Sequence, residues 1–205
     1  MAKCQRVGDP RRAYDSRVLK HVCVASGVVP VGAVLALASL PVASSTQSLA
    51  PYIATPDDVV DRMLALAQVT REDVVYDLGC GDGRIPIAAA KKYGARGAGL
   101  DLDPNLIALA KANARAAGVD ALVDFRVENV LTADVSAATV VTLYLLSSSN
   151  ERLRPLLIRQ LKPGARIVSH AFSMGRAWPA DKVDQFVSAR GDEVTLYLWK
   201  IKKIK

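Results

Sequence analysis

The stretch VVYDLGCGDG, residues 74–83, decides the fold of this 205-residue chain. Val74, Val75 and Tyr76 run as a buried strand, Asp77 stands at its end, and Gly79, Gly81 and Gly83 alternate through the turn that follows. Glycines between a strand and a helix let backbone approach a ligand closely. A dinucleotide fingerprint would read G-x-G-x-x-G, whereas this turn reads G-x-G-x-G with carboxylates at Asp77 and Asp82. Those carboxylates would repel a pyrophosphate, which needs bare amides and a helix N-terminus, but they suit the ammonium and sulfonium of an amino-acid donor. A Walker lysine is absent. Asp101 stands at the end of the next predicted strand, where an acidic side chain can accept hydrogen bonds from both hydroxyls of a ribose.

Working outward, strand and helix signals alternate, which predicts an α/β fold: a Rossmann-like, doubly wound, mostly parallel sheet with a C-terminal antiparallel hairpin strand. Thr55 is the expected N-cap of a leading helix, with Pro56 at its first position and an end near Val69. Strands are expected at 73–78, 97–102, 123–127, 140–146 and 165–172. Helices are expected at 84–93, closed by Gly94, at 104–117, capped by Asp103 and ended by Gly118, and at 150–161, capped by Asn150. Residues 186–188 and 193–201 flank Arg190-Gly191-Asp192 as a terminal hairpin.

The formal charge of +7 is concentrated at the ends of the chain: residues 51–199 carry 17 basic against 18 acidic side chains. No basic stripe marks a nucleic-acid surface, which argues against a nucleic-acid partner. Cys4, Cys23, Cys80, His21 and His170 offer neither a disulfide framework nor metal-ligand spacing, so no metal is expected. Cys80 reads as a small core residue, since neighbouring carboxylates oppose a thiolate. His170 reads as a structural residue at a strand end.

Residues 1–48 read as a basic and apolar appendage and residues 49–205 as the catalytic domain. Residues 22–43 carry no charge and are just long enough to cross a membrane, which leaves a targeting signal and a membrane anchor both open. Charge bias favours an exported domain, while the donor's intracellular origin favours a cytoplasmic or mitochondrial-matrix face. The expectation is a membrane-associated protein whose catalytic domain can reach its donor.

The segments DLGCGDGR (77–84) and GLDLDP (99–104) resemble the S-adenosylmethionine-binding motifs of class I methyltransferases. PYIATP (51–56), TVVTLYLL (139–146), LKPG (161–164) and the Trp178-Pro179 turn are similar to archaeal broad-specificity protein-lysine methyltransferases. They are also similar to the mitochondrial enzymes that methylate the adenine nucleotide translocase or the ATP synthase c subunit. The resemblance implies S-adenosyl-L-methionine as cofactor and a protein with an exposed lysine as partner. It implies that Tyr52 and Thr55 cover the donor and that Asp77, Gly79, Gly81 and Gly83 hold its methionine end. Asp101 would take the ribose, Asn129 and Val130 would meet the adenine, and Leu102 is a further cofactor-binding residue. Thr142 and Tyr144 would face the acceptor as catalytic residues. Cys80 stands where such relatives usually have Ser, and Ala171 and Ser173 where they often carry acids.

Two other readings stay open, a small-molecule methyltransferase and a non-catalytic donor-binding protein. Tyr144-Leu145-Leu146-Ser147 departs from the Asn/Asp-Pro-Pro-aromatic turn of amino-methylating DNA enzymes. The short connections leave an open mouth suited to a protruding side chain.

Overall fold

Five parallel strands and an antiparallel pair form one sheet in the order Val123–Val127, Arg96–Asp101, Val74–Leu78, Val140–Leu143, Arg166–His170, Glu193–Lys200, Lys182–Val187. The computed structural model describes residues 52–203; the appendage at 1–48, with its signal and anchor readings, lies outside them. The elements are α1 (Asp57–Leu66), β1 (Val74–Leu78), α2 (Arg84–Tyr93), β2 (Arg96–Asp101), α3 (Pro104–Ala116), β3 (Val123–Val127), β4 (Val140–Leu143), α4 (Ser147–Gln160), β5 (Arg166–His170), β6 (Lys182–Val187) and β7 (Glu193–Lys200). From β1 the chain winds outward through β2 and β3, then crosses back to β4 on the other side of β1. Ligands bind α/β sheets at such a reversal, outside the carboxyl ends of the strands. β7 runs antiparallel to β5 and carries β6 at the edge, which is the expected hairpin.

Alternation along each strand divides the core between two faces. Val75, Val140, Val168 and Leu196 meet Val59, Val60, Met63 and Leu64 of α1. Tyr76, Leu78, Val141, Leu143 and Ile167 meet Leu153, Leu156 and Leu157 of α4. Each fully buried aliphatic side chain contributes about 1.5–3 kcal/mol. Asp77, Thr142, Tyr144 and His170 continue the first set, so by alternation they lie on the α1 side, at the carboxyl ends of β1, β4 and β5. Among the described residues no helix is long and apolar enough to cross a membrane.

Several local expectations need correction. Pro56, with extended ψ of 149°, is the N-cap of α1, because Thr55 is turned into the protein and its carbonyl accepts from Arg84. The helix stops at Leu66, not near Val69. β4 ends at Leu143, three residues early. α4 begins at Ser147, which leaves Asn150 inside the helix and fully buried. It is therefore not the N-cap, and its Nδ2 instead donates to Ser169 Oγ and to the carbonyls of Phe172 and Ser173. By contrast Asp103 caps α3 as expected, accepting from Asn105 N–H at 2.8 Å with Pro104 first in the helix.

Candidate active site

The site starts from a cross-strand pair. Asp77 on β1 faces Thr142 on β4, and both are buried. The Thr142 hydroxyl donates to Asp77 Oδ1 at 2.8 Å. Burial pushes the Asp77 carboxyl up to about 7; the Thr142 bond opposes that rise, and the charges of Asp101 and Asp82 add to it. Thr142 is thus sealed beneath the site and does not reach a rim facing the acceptor, where the resemblance had placed it.

Beyond Leu78 the chain turns tightly enough that Gly79 and Cys80 both donate their N–H groups to the Leu100 carbonyl. Gly81 N–H then donates to Asp101 Oδ2 at 2.9 Å, and Asp103 N–H donates to Asp101 Oδ1 at 3.0 Å. Asp101 therefore ties the glycine turn to the end of β2 and keeps lone pairs for a ligand diol. Two glycines are required for different reasons. At Gly81 (φ +53°) a Cβ would collide with the Tyr52 ring, whereas at Gly83 (φ +78°) it would collide with Phe125 and Ala110. Gly83 serves the packing of α2 against α3 and β3, not the ligand side of the turn.

Residues 52–55 cross over this turn. Arg84 Nη1 donates to the Thr55 carbonyl at 2.8 Å, and its Nε and Nη2 donate to the Asp82 carboxylate at 3.0 and 2.6 Å. Burial works against the Asp82 carboxylate, but Arg84 outweighs it and holds Asp82 below the usual range. Asp82 is consequently neutralised locally, which leaves Asp77 as the buried acid without a cationic partner. Cys80 is buried, and burial, followed by Asp77 and Asp101, drives its thiol far above the ordinary range. That is the inert thiol its surroundings implied.

A cavity of about 370 Å³ gathers these groups. Of the residues named from the sequence, Tyr52, Thr55, Asp77, Gly79, Asp101, Leu102, Val130 and Tyr144 line it. Gly81, Gly83, Asn129 and Thr142 do not. Asn129 is a turn residue whose Oδ1 accepts from Leu131 N–H. Sequence reasoning missed Ile53, Ile85, Leu106 and Leu145 as lining residues, and Asp103 was noticed only as a cap. The cap itself could have pointed to Leu106, which lies in the first turn of α3. The lining combines the buried carboxyl of Asp77, the Asp101 carboxylate with free lone pairs and the apolar Leu102, Leu106 and Val130. It fits a ligand with a cationic head, a vicinal diol and a flat apolar end.

Comparison with known proteins bears on the same region. Residues 77–182 match the family model of the ANTKMT methyltransferase domain. The chain is 43% identical over 152 residues to a protein-lysine N-methyltransferase of Saccharolobus islandicus, covering 74% of this chain and 93% of that one. It is 34% identical to the adenine nucleotide translocase lysine N-methyltransferase of Mus musculus, over 60% of this chain and 54% of the mouse enzyme. Among solved structures, a chain from Salinibacter ruber described as an RNA methyltransferase, in complex with S-adenosyl-L-homocysteine, is 52% identical. It superposes with a TM-score of 0.69 and covers 75% of this chain and 96% of that one.

Proposed function

The chain belongs to the ANTKMT methyltransferase family and is an S-adenosylmethionine-dependent methyltransferase, and we propose that its acceptor is the side-chain amine of lysine in a protein. The observation that carries this reading is the charge of the cavity. Asp77, Asp82, Asp101 and Asp103 line it against Arg84. Such a lining attracts a cationic donor and a cationic acceptor and disfavours a phosphate backbone. The names of the Saccharolobus and mouse relatives agree with it.

The donor supplies a methyl group made electrophilic by a sulfonium. In this reading Asp77 pairs with the donor's ammonium, Asp101 accepts from its ribose hydroxyls, Leu102 and Val130 flank its adenine, and Tyr52 and Thr55 close over it. Tyr144, half-buried at the cavity, faces the acceptor. A lysine amine at pH 7.4 must lose a proton before it can attack, at a cost of about 4 kcal/mol. The nearby sulfonium and the apolar lining lower that amine's pKa, so the proton passes to water and the Tyr144 phenol need only orient the lone pair.

A second reading, a nucleobase nitrogen as acceptor, is favoured by the description of the Salinibacter chain. One experiment separates the two. The full chain is incubated with labelled S-adenosylmethionine and a cell lysate, and the products are divided between protease and ribonuclease digestion. Label in lysine-containing peptides supports the first reading, and label in nucleotides replaces it with the second.

A further inference from the structure

His170 closes β5 on the α1 side of the sheet, and its ring stacks on that of Tyr144 with centroids 4.0 Å apart and planes 29° from parallel. The register that pairs Leu143 with Ser169 brings the two rings side by side. His170 is buried, and its Nδ1 has no hydrogen-bond partner. The segment after it is held in an unusual shape. Ala171 adopts φ +63°, a left-handed conformation that an L residue keeps only when its surroundings impose it. Ala171 N–H donates to the Thr195 carbonyl and Phe172 N–H to the His170 carbonyl, both at 2.8 Å. Asn150 Nδ2 grips the carbonyls of Phe172 and Ser173 from α4, and the Phe172 ring lies 6.2 Å from Tyr144.

We propose that His170 is a positioning residue for methyl transfer, its ring fixing the orientation of Tyr144 at the acceptor side of the cavity. The proposal rests on the reading that Tyr144 faces the acceptor. A Tyr side chain half-exposed at a mouth would otherwise sample several rotamers, and a displaced orienting group costs rate without touching donor affinity. The stacked partner is also an uncharged one, since the ring is buried against Tyr144 with no acid among the described residues facing it in a hydrogen bond. Burial pushes the imidazole down to about 4. The same burial makes His170 a poor base, so it acts through Tyr144 and not on the amine.

The test uses the full chain and four single variants, His170→Ala, His170→Leu, His170→Phe and Tyr144→Ala, with the double variant His170→Ala/Tyr144→Ala. Turnover is measured with any methylated acceptor protein, donor affinity by calorimetry with S-adenosylhomocysteine, and folding by thermal melts. His170→Ala and His170→Leu are expected to lower kcat about tenfold with donor affinity within about twofold of wild type. His170→Phe, which restores a planar partner, recovers most of that loss. In the Tyr144→Ala background, His170→Ala has little further effect. The proposal is overturned if His170→Leu keeps full turnover, if His170→Phe falls as far as His170→Leu, or if the two residues act additively. If Tyr144→Ala alone leaves kcat unchanged, the acceptor-side reading of Tyr144 fails instead.

Discussion

Thr142 donates its hydroxyl to Asp77 across the β1–β4 pair at 2.8 Å, with both side chains buried at the point where the sheet reverses its winding. This bond favours the ionised carboxyl against burial and against two neighbouring acids. A hydrogen bond to a charged group is worth about 1.5–3 kcal/mol. Replacing Thr142 with Val should therefore make Asp77 keep its proton to higher pH and weaken donor binding at pH 7 about tenfold or more. Calorimetry with S-adenosylhomocysteine at pH 7 and pH 9 checks this: the deficit should narrow at pH 9. An equal deficit at both values would mean that Thr142 acts by packing alone.

The raised Asp77 pKa also predicts how stability and binding run against each other. A folded-state carboxyl at about 7, against 3.8 for an ordinary aspartate, binds more protons folded than unfolded. Its contribution to stability is present at low pH and is lost as pH rises through that window. Donor affinity runs the opposite way, rising from pH 5.5 to 7.5 as the carboxylate forms. Asp77→Asn should raise the melting temperature relative to wild type, by a margin that grows from pH 5 to pH 8, while weakening donor binding at least tenfold. A variant less stable than wild type at pH 8 would refute the assignment of a strained buried charge.

Asp101 has a double task, so its removal should show two effects. Asp101→Ala takes the acceptor from Gly81 N–H and Asp103 N–H and from any ligand hydroxyl at once. Donor affinity should fall at least tenfold, and the donor-free protein should also melt lower, with about 1 kcal/mol expected per lost hydrogen bond. Loss of affinity at an unchanged melting temperature would show that the carboxylate does not organise the glycine turn.

Gly83→Ala should damage the fold far more than the site. Its φ of +78° costs an L residue about 1–2 kcal/mol. The added methyl overpacks Phe125 and Ala110, which typically costs about 1–3 kcal/mol more. Denaturant unfolding should show the loss, while the folded fraction binds S-adenosylhomocysteine within about threefold of wild type. A large affinity loss with normal stability would return Gly83 to the ligand.

A chain beginning at residue 49 should fold and bind donor, because among the described residues the strands, helices and apolar clusters of a complete doubly wound sheet are present. A cooperative melt and a donor-dependent rise in its midpoint are the expected results. A broad, noncooperative melt would show that residues 1–48 complete the core.

What could be read in the sequence was mostly local. Asp103 before Pro104, Gly94 after Tyr93 and the alternation of Val123, Phe125 and Val127 each act within a few residues, and the structure places their elements as expected. Thr55, Asn150 and Thr142 were misplaced because their side chains answer to partners far along the chain. Arg84 draws in the Thr55 carbonyl, the bend after His170 recruits Asn150, and strand register delivers Thr142 to Asp77. The three glycines of the turn look equivalent in sequence. They separate only when Tyr52 and Phe125 arrive from opposite sides. The His170–Tyr144 stack had no sequence signal, since it depends on the pairing of β4 with β5.

Cys80 has a practical consequence. It is the sole cysteine of residues 49–205, and it is buried in the cluster formed with residues of α2, α3 and β3, at the wall of the cavity. A fragment of that span is therefore a natural single-thiol probe. An alkylating reagent added under native conditions reports how often the glycine turn and its neighbours swing open, residue-specifically and without an engineered label. Bound donor, by holding that region shut, should slow the labelling clock.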